Sequence, residues 1–275
     1  MSHEKRRERE LGQMIEIKDI HFQHPSAKKP VLNGISLTAA AGKLTTILGP
    51  NGCGKTTLFK CIAGLWKPEK GDIVFEGGSI LDYGHDRRAK VIAVVPQEHE
   101  PPFPYSVFDA VLMGRVAHIG MFTTPSKKDI AKAEASIEEV GIGHLKSRAY
   151  TKISGGERQL VLVARALTQE SPVMLFDEPT SHLDFKNQVV VLMKVKEIIL
   201  QRQVTALMTI HDPNLAMLFS DSVVLVNEGS VVSQGGAHDV ISEANLGAVY
   251  GIEVEIVSVN GTRVVTPKLK SKGLI

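Results

Sequence analysis

The nine residues GPNGCGKTT, at positions 49–57, constrain the fold of this chain more than any other stretch. They match G-x-x-x-x-G-K-[ST], a glycine-rich loop whose backbone N–H groups can surround an anion ahead of a helix. The residues before the loop are typical of a short buried strand, and Leu58, Ile62 and Leu65 after it have helical spacing. A glycine turn with a surface lysine would explain the loop alone. The strand, loop and helix in this order favour a polyphosphate site.

The motif assigns roles within the loop. Lys55 is predicted to reach the β- and γ-phosphates, and the hydroxyl of Thr56 to ligate Mg²⁺. The two cysteines, Cys53 and Cys61, would be ~12 Å apart in a helix, too far for a disulfide. The residues predicted to bind the phosphates are Gly49, Pro50, Asn51, Gly52, Cys53, Gly54, Lys55, Thr56 and Thr57.

Composition narrows the class of protein. The chain has 275 residues and a formal net charge of +2, which argues against a wide nucleic-acid footprint. No apolar run reaches the ~18 residues that cross a bilayer, and no signal-peptide pattern is visible, so we expect a soluble, intracellular chain. The charge-dense start predicts a flexible tail over residues 1–13.

The remaining pattern predicts an α/β fold. Short β-type runs fill residues 14–48, and helical spacing dominates residues 106–150. The runs SPVMLFDEPT and QVTALMTIHD are continuously apolar, as expected for parallel strands covered on both faces. A terminal hairpin is expected to turn at residues 227–229. We predict one domain over residues 14–275, with a helical insertion.

Two carboxylates follow one of these apolar strands. Asp177 and Glu178 end VMLFDE, at the carboxyl end of a strand, where α/β sheets bind ligands. Asp177 is placed to hold Mg²⁺ through water, and Glu178 to polarise the water that attacks the γ-phosphate. Solvated carboxylates at a strand end are the ordinary alternative. The phosphate loop favours the functional interpretation.

A second glycine-rich stretch, ISGGERQ, occupies residues 153–159. Ser154 can cap the helix that follows, while Gly155 and Gly156 leave its N–H groups available to an anion. An ordinary capping turn is an equal alternative for this stretch taken alone. The chain therefore carries two candidate anion sites for one nucleotide.

With these motifs in this order, the chain from about residue 14 resembles the ATP-binding subunits of ABC transporters. GPNGCGKTT is similar to their Walker A motif, VMLFDE to Walker B, ISGGERQ to the signature and SHLD, residues 181–184, to the D-loop. Gln97 corresponds to the Q-loop and His211 to the switch histidine. The signature directly upstream of Walker B makes this resemblance specific.

The resemblance implies a fold and an activity. The fold is a P-loop NTPase core with a mainly parallel sheet, an N-terminal antiparallel β subdomain, an inserted α-helical subdomain at about 98–165 and a C-terminal extension at about 236–275. The cofactors are ATP and Mg²⁺, with Thr56, Gln97 and Asp177 around the metal. Two copies pair head to tail, so that the signature of each closes over the ATP on the other.

The same resemblance assigns the chemistry. Glu178 would be the general base, Gln97 would touch Mg²⁺ and the attacking water, and His211 would contact the γ-phosphate. Ser154 and Gly156 would reach that phosphate across the interface. A lone histidine ending a strand is more often structural, but the position of His211 after the strand that follows Walker B favours a functional one.

Two features, the signature and the base-stacking position, depart from the family pattern. The signature carries Ile153 and Glu157 where many members have leucine and glutamine. His24 occupies the place of a tyrosine that stacks on adenine in many members, and imidazole should stack more weakly. Phe22 is the alternative platform.

The resemblance also implies partners. The chain would serve a separate membrane permease and, indirectly, an extracytoplasmic substrate-binding protein, from the cytoplasmic face of the membrane. The sequences of its helical insertion and of its C-terminal segment resemble those of subunits that serve uptake of iron-siderophore, haem, cobalamin or related metal chelates. The alternatives are a soluble ATPase acting on DNA or ribosomes and an exporter subunit; no nucleic-acid partner is expected. An apolar patch near Gln97 is predicted either to contact the permease or to pack locally; it consists of Pro101, Pro102, Phe103 and Tyr105.

Overall fold

The computed structural model describes residues 14–25, 27–97, 103–120 and 123–268, so the expected tail at 1–13 lies outside it. The strands are β1 (Ile15–Phe22), β2 (Leu32–Ala39), β3 (Leu44–Leu48), β4 (Lys70–Phe75), β5 (Gly78–Ser79), β6 (Ile92–Val95), β7 (Val173–Phe176), β8 (Thr205–Ile210), β9 (Ser222–Asn227), β10 (Ser230–Gly235), β11 (Val254–Val259) and β12 (Thr262–Pro267). The α-helices are α1 (Lys55–Ile62), α2 (His85–Val91), α3 (Val107–Leu112), α4 (Lys127–Val140), α5 (Gly155–Thr168), α6 (Phe185–Arg202), α7 (Pro213–Phe219), α8 (Ala237–Val240) and α9 (Glu243–Tyr250). Three 3₁₀ segments cover Met113–His118, Gly143–Leu145 and Tyr150–Lys152.

A six-stranded sheet in the order β10-β9-β3-β8-β7-β6 forms the centre of the fold. The strands from β9 to β6 run parallel, and β10 returns antiparallel to β9. This arrangement confirms the predicted α/β class, its mainly parallel sheet and the hairpin after Asn227. Strand β8, which comes late in the chain, lies between β3 and β7.

The central strands are buried on both faces, as their continuous apolar runs predict. In β7, Val173 and Leu175 pack into the core around the antiparallel sheet, while Met174 and Phe176 pack into the core under the helices. All four are at most 1 % exposed. The alternation of side chains across a strand explains why no polar position interrupts VMLF.

The N-terminal strands form a separate antiparallel sheet in the order β2-β1-β4-β5, which confirms the predicted antiparallel β region. Helix α1 packs against it through Leu58 and Ile62, each 1 % exposed. The prediction that Leu65 continues this apolar face is wrong, because Leu65 is 70 % exposed. The helix ends at Ile62, and Gly64 turns the chain with a φ of 71°.

The helices between β6 and β7 share a core with the parallel sheet. Val111 of α3 and Ile137 of α4 join Phe176 in one continuous cluster. The helical spacing predicted from residue 106 onward gives an α-helix only as far as Leu112, because the chain tightens into a 3₁₀ segment at Met113. Gly114 lies there against helix α5, where an added Cβ would be 2.2 Å from the carbonyl oxygen of Arg165.

The C-terminal elements pack against β3, the strand that leads into the phosphate loop. Helices α8 and α9 and strands β11 and β12 form a third cluster with Leu48, Leu225 and Met217. Asn214 of α7 holds the β11–β12 hairpin through two bonds with the backbone of Val265, of 2.7 and 3.2 Å. Among the residues described above, no helix combines the length and apolar character that crossing a membrane requires.

Candidate functional site

The sheet order brings the predicted site residues to one edge. Strand β3 ends at the P-loop, β7 ends at Asp177, β8 ends beside His211, and β6 is followed by Gln97. These four strands are parallel neighbours, so their carboxyl ends lie side by side. Ligands of open α/β sheets bind at such an edge.

The phosphate loop has the backbone that its glycines predict. Gly52 and Gly54 have φ angles of 79° and 106°, in the left-handed region that favours glycine. Gly54 is the N-cap of α1, and no side chain caps this helix start. Gly49 passes so close to the neighbouring hairpin that an added Cβ would lie 2.2 Å from the carbonyl oxygen of Val226. The helix start can therefore direct its N–H groups at an anion.

Lys55 lies within the loop. Its side chain is buried, and its ammonium group donates to the carbonyl oxygens of Gly49 and Pro50 over 2.8 and 2.9 Å. Phosphate oxygens would compete with these carbonyls for the same ammonium. Thr56, next in the chain, is exposed.

Both cysteines are free and buried, which agrees with the expectation of no disulfide. The Sγ of Cys53 is 3.9 Å from the ammonium of Lys55. Burial raises the pKa of the Cys53 thiol despite this positive charge. Cys53 therefore fills the base of the loop as a neutral side chain.

Asp177 is held at the end of β7 from two sides. Its backbone N–H donates to the carbonyl of Val95 over 2.9 Å, and its Oδ1 accepts a 2.9 Å bond from the hydroxyl of Thr209. The pKa of Asp177 is raised above its ordinary value, chiefly by burial. The hydrogen bond from Thr209 opposes this shift, and the negative charge of Glu178 adds to it. The contact with Thr209 was not expected from the sequence.

Glu178 has an unusual backbone for a non-glycine residue, with a φ of 47°. Its Oε1 lies 2.5 Å from Nε2 of His211, and its side chain is 14 % exposed against 39 % for His211. The structure thus joins the predicted base to the predicted switch histidine. Within one copy of the chain, His211 contacts the carboxylate that would activate water.

Gln97 contacts the D-loop. Its amide nitrogen donates to Oγ of Ser181 over 3.0 Å and lies 3.2 Å from Nε2 of His182. Ser181 in turn donates from Oγ to the carbonyl of Glu178 over 3.1 Å. Ser181 thus links Gln97 to the backbone of Glu178, the predicted base, and this link was not expected from the sequence.

Ser154 caps α5, as predicted. The Oγ of Ser154 accepts from the backbone N–H of Glu157 over 3.4 Å, and Oε2 of Glu157 accepts from the N–H of Ser154 over 2.7 Å. The expectation that Gly155 and Gly156 leave the N–H groups of this helix start available to an anion was incomplete, because the Glu157 carboxylate also lies there. The bonds from Ser154 lower the pKa of Glu157, so it is charged at neutral pH.

The two signature glycines allow close packing within the chain. An added Cβ on Gly156 would lie 2.8 Å from the side chain of Asn187 on α6, and one on Gly155 would lie 3.4 Å from Leu183 of the D-loop. Ser154 and Gly155 are exposed and Gly156 is buried. A side chain at Gly156 would separate α5 from α6.

The candidate base-stacking residues are clearly distinguished. Phe22 is 7 % exposed and stacks in parallel on Trp66, with ring centroids 5.2 Å apart. It is therefore not a free platform, and the alternative assignment to Phe22 is wrong. His24 is exposed and meets Trp66 edge-on at 5.6 Å.

The oxygen groups fit Mg²⁺. Residues 14–25, 27–97, 103–120 and 123–268 contain no cluster of three or more His, Cys, Asp or Glu side chains able to hold a metal. Mg²⁺ is commonly bound by one or two protein oxygens together with substrate phosphates and water. The exposed Thr56 hydroxyl and the Asp177 carboxylate supply such oxygens beside the phosphate loop.

Comparison with known proteins agrees with this geometry. Residues 32–181 match the family described as ABC transporter. A Helicobacter pylori protein named "Probable iron chelatin transport ATP-binding protein" is 37 % identical over 89 % of this chain and 95 % of its own. The ferric enterobactin transport ATP-binding protein of Escherichia coli is 31 % identical over 87 % of this chain and 89 % of its own.

A solved structure described as "An inward-facing conformation of a putative metal-chelate type ABC transporter" superimposes with a TM-score of 0.82 at 30 % identity, covering 94 % of this chain and 98 % of that one. Its likeness extends through the C-terminal elements as well as the ATP-binding core. The chain therefore belongs to the ABC transporter family, as an ATP-binding subunit that hydrolyses ATP.

Proposed function

We propose that this chain powers a metal-chelate importer by hydrolysing ATP between two copies of itself. The observation that carries the proposal is the convergence of Asp177, Glu178, His211 and Gln97 on the sheet edge that ends in the phosphate loop. Each copy would bind one ATP through its own loop and close the site of the other.

Within one copy, binding and chemistry fall to different residues. Lys55 binds the β- and γ-phosphates. Thr56, and Asp177 through water, would hold Mg²⁺, which would neutralise phosphate charge when bound. Glu178 accepts a proton from the attacking water. His211 fixes the orientation of that carboxylate through the 2.5 Å contact until it turns to the γ-phosphate.

The second copy supplies the remaining donors. Ser154 and Gly155 are exposed at the start of α5, where the helix dipole favours an anion. Ser154, Gly155 and Gly156 would face the γ-phosphate of the other copy. ATP then holds the dimer together, and hydrolysis releases it.

The test is Glu178→Gln. Because an amide cannot accept the proton, we expect hydrolysis to fall by orders of magnitude while ATP binding persists and a stable ATP-bound dimer accumulates. Phosphate release and size-exclusion chromatography with light scattering measure the two effects. Glu76→Gln is the matched control, since Glu76 is an exposed glutamate with a similar φ of 50°. A fully active Glu178→Gln protein would reject this base.

The permease is proposed to dock beside Gln97. Phe103 is 61 % exposed and meets Tyr105 edge-on at 6.0 Å. The carbonyl of Tyr105 accepts from the N–H of Tyr150, which lines a cavity of about 160 Å³ together with Gln97. Pro101 and Pro102, the other residues of this predicted patch, lie outside the described residues. Docking would place the chain peripherally at the cytoplasmic face of the membrane.

The cargo class follows the relatives named for iron chelatin and ferric enterobactin. Iron-siderophore, haem, cobalamin or a related chelate would be carried by the permease and its substrate-binding protein. Cells lacking this chain should lose uptake of one radiolabelled chelate, and regain it with the native chain but not with Glu178→Gln. The purified chain should bind no chelate; retention of label by the chain alone would contradict the proposal, as would strong stimulation of its ATPase by DNA or ribosomes.

A further inference from the structure

One hydroxyl group contacts both residues of the Walker B pair. Thr209 is the next-to-last residue of β8 and is fully buried, with 0 % exposure. Its Oγ1 donates to Oδ1 of Asp177 over 2.9 Å and accepts from the backbone N–H of Glu178 over 2.8 Å. A hydroxyl has one proton to donate and lone pairs to accept, so both bonds form together in defined directions.

The position of Thr209 follows from the sheet order. Strand β8 pairs with β7 in parallel, and Met208 is the partner of Phe176. The residues that follow this pair, Thr209 and Asp177, therefore lie side by side where β7 ends. Thr209 contacts Asp177 and Glu178 from β8, the strand that lies between β7 and the phosphate-loop strand β3.

The backbone at Glu178 requires such support. A φ of 47° lies in the left-handed region, which is sparsely populated for a residue with a side chain and is held only where the surrounding structure fixes it. The bond from its N–H to Thr209 fixes the peptide that joins Asp177 to Glu178. His211, two residues after Thr209, holds the carboxylate of the same glutamate.

A buried hydroxyl in an apolar strand also needs a reason. Valine has a similar shape and suits a central strand without the cost of burying a polar group. Thr46 is equally buried on the neighbouring β3, but its hydroxyl pairs with Oγ of Ser220 at 2.5 Å. The two threonines thus have the same burial, and only Thr209 bonds to the pair.

We propose that Thr209 is a positioning residue, which orients Asp177 toward Mg²⁺ and its water and Glu178 toward the attacking water. It acts through these two residues and does not itself touch the substrate. The inference rests on the proposed roles of Asp177 and Glu178. It adds one residue to the machinery, on a strand between the two motifs.

The test compares Thr209→Val, which keeps the shape and removes the hydroxyl, with Thr209→Ser, which keeps the hydroxyl. We expect Thr209→Val to lower kcat by about 10- to 100-fold through misorientation of the base. Its affinity for nucleotide without Mg²⁺, measured by equilibrium binding in EDTA, should stay within about twofold, because the phosphate loop is intact. Thr209→Ser should retain kcat within about threefold.

Thr46→Val is the control for the loss of a buried threonine hydroxyl, and it should leave kcat near that of the native chain. Circular dichroism checks that each variant is folded; if Thr209→Val does not fold, Thr209→Ala is measured under the same criteria. Native kcat without the hydroxyl, or an equal loss in Thr209→Ser, would overturn the inference. Since Glu178→Gln tests the base separately, an active Thr209→Val beside an inactive Glu178→Gln rejects Thr209 alone.

Discussion

The helices α1 and α5 both begin at glycine-rich stretches that face an anion in the proposed dimer, yet their first turns differ. Helix α1 starts at Gly54, with no side chain on its N–H groups and Lys55 buried at its first position. Helix α5 starts at Ser154, which forms a reciprocal capping box with Glu157. The start of α1 is thus open, with no side-chain cap and a buried cation beside it. The start of α5 is closed by the capping box, which includes the Glu157 carboxylate.

The two helix starts are therefore expected to contribute to different steps of ATP binding. An open helix start with an adjacent ammonium can bind phosphate within a single chain. The start of α5 is already capped by Ser154 and Glu157, so it should bind an anion less well by itself. It is expected to act after the first site holds ATP. The first site should therefore set nucleotide affinity, and the second should set dimerisation.

Lys55→Ala should produce the largest change. Without the ammonium, we expect the affinity of the chain for ATP to fall at least about 100-fold, because charge-assisted bonds to two phosphates are lost. Equilibrium binding of a fluorescent nucleotide measures this loss. Lys43→Ala, at an exposed lysine before β3, is the control and should bind normally. Native affinity in Lys55→Ala would remove the distinction between the two helix starts.

Ser154→Ala should affect dimerisation without affecting the first site. Removing the cap costs about 1 kcal/mol of folding stability, and we expect the ATP-bound dimer of Glu178→Gln to weaken about tenfold when the substitution is added. Ser126→Ala is the matched control, because Ser126 forms the same capping box with Asp129 at α4. Both variants should lose similar stability, and only Ser154→Ala should lose the dimer in light scattering. Equal dimer strength in the two would place the signature outside the interface.

Glu157→Gln should produce the smallest change. The amide keeps an acceptor for the N–H of Ser154 and removes a negative charge close to the proposed γ-phosphate. We expect the ATP-bound dimer to tighten about two- to fivefold, the scale of a single charge at a helix start. The gain should diminish at high salt. A weaker dimer in this variant would indicate that the carboxylate helps to order the interface.

Several site elements follow from local sequence alone. The glycine spacing in GPNGCGKTT requires a loop with positive φ at Gly52 and Gly54, and S-x-x-E predicts the capped start at Ser154. The apolar run VMLF predicts a strand covered on both faces. These features depend on neighbours within a few residues, which is why the sequence reports them.

Other contacts could not be read from the sequence. Thr209 resembles any β-branched residue in a strand, and its role appears only because β8 lies between β3 and β7. Gln97 and Ser181 are 84 positions apart and meet because β6 and β7 are adjacent. Leu65 fits the helical spacing of α1, but the left-handed turn at Gly64 exposes it. Each depends on packing between segments that are distant in the chain.

Local backbone preference and side-chain spacing dictate the phosphate loop, the acidic strand end and the capped signature, so these features can be predicted from residues close together in the chain. The order of the strands in the sheet depends instead on the packing of distant segments. That order arises from burying the apolar faces of all the strands together, and it brings His211 and Thr209 to the carboxylates of Asp177 and Glu178.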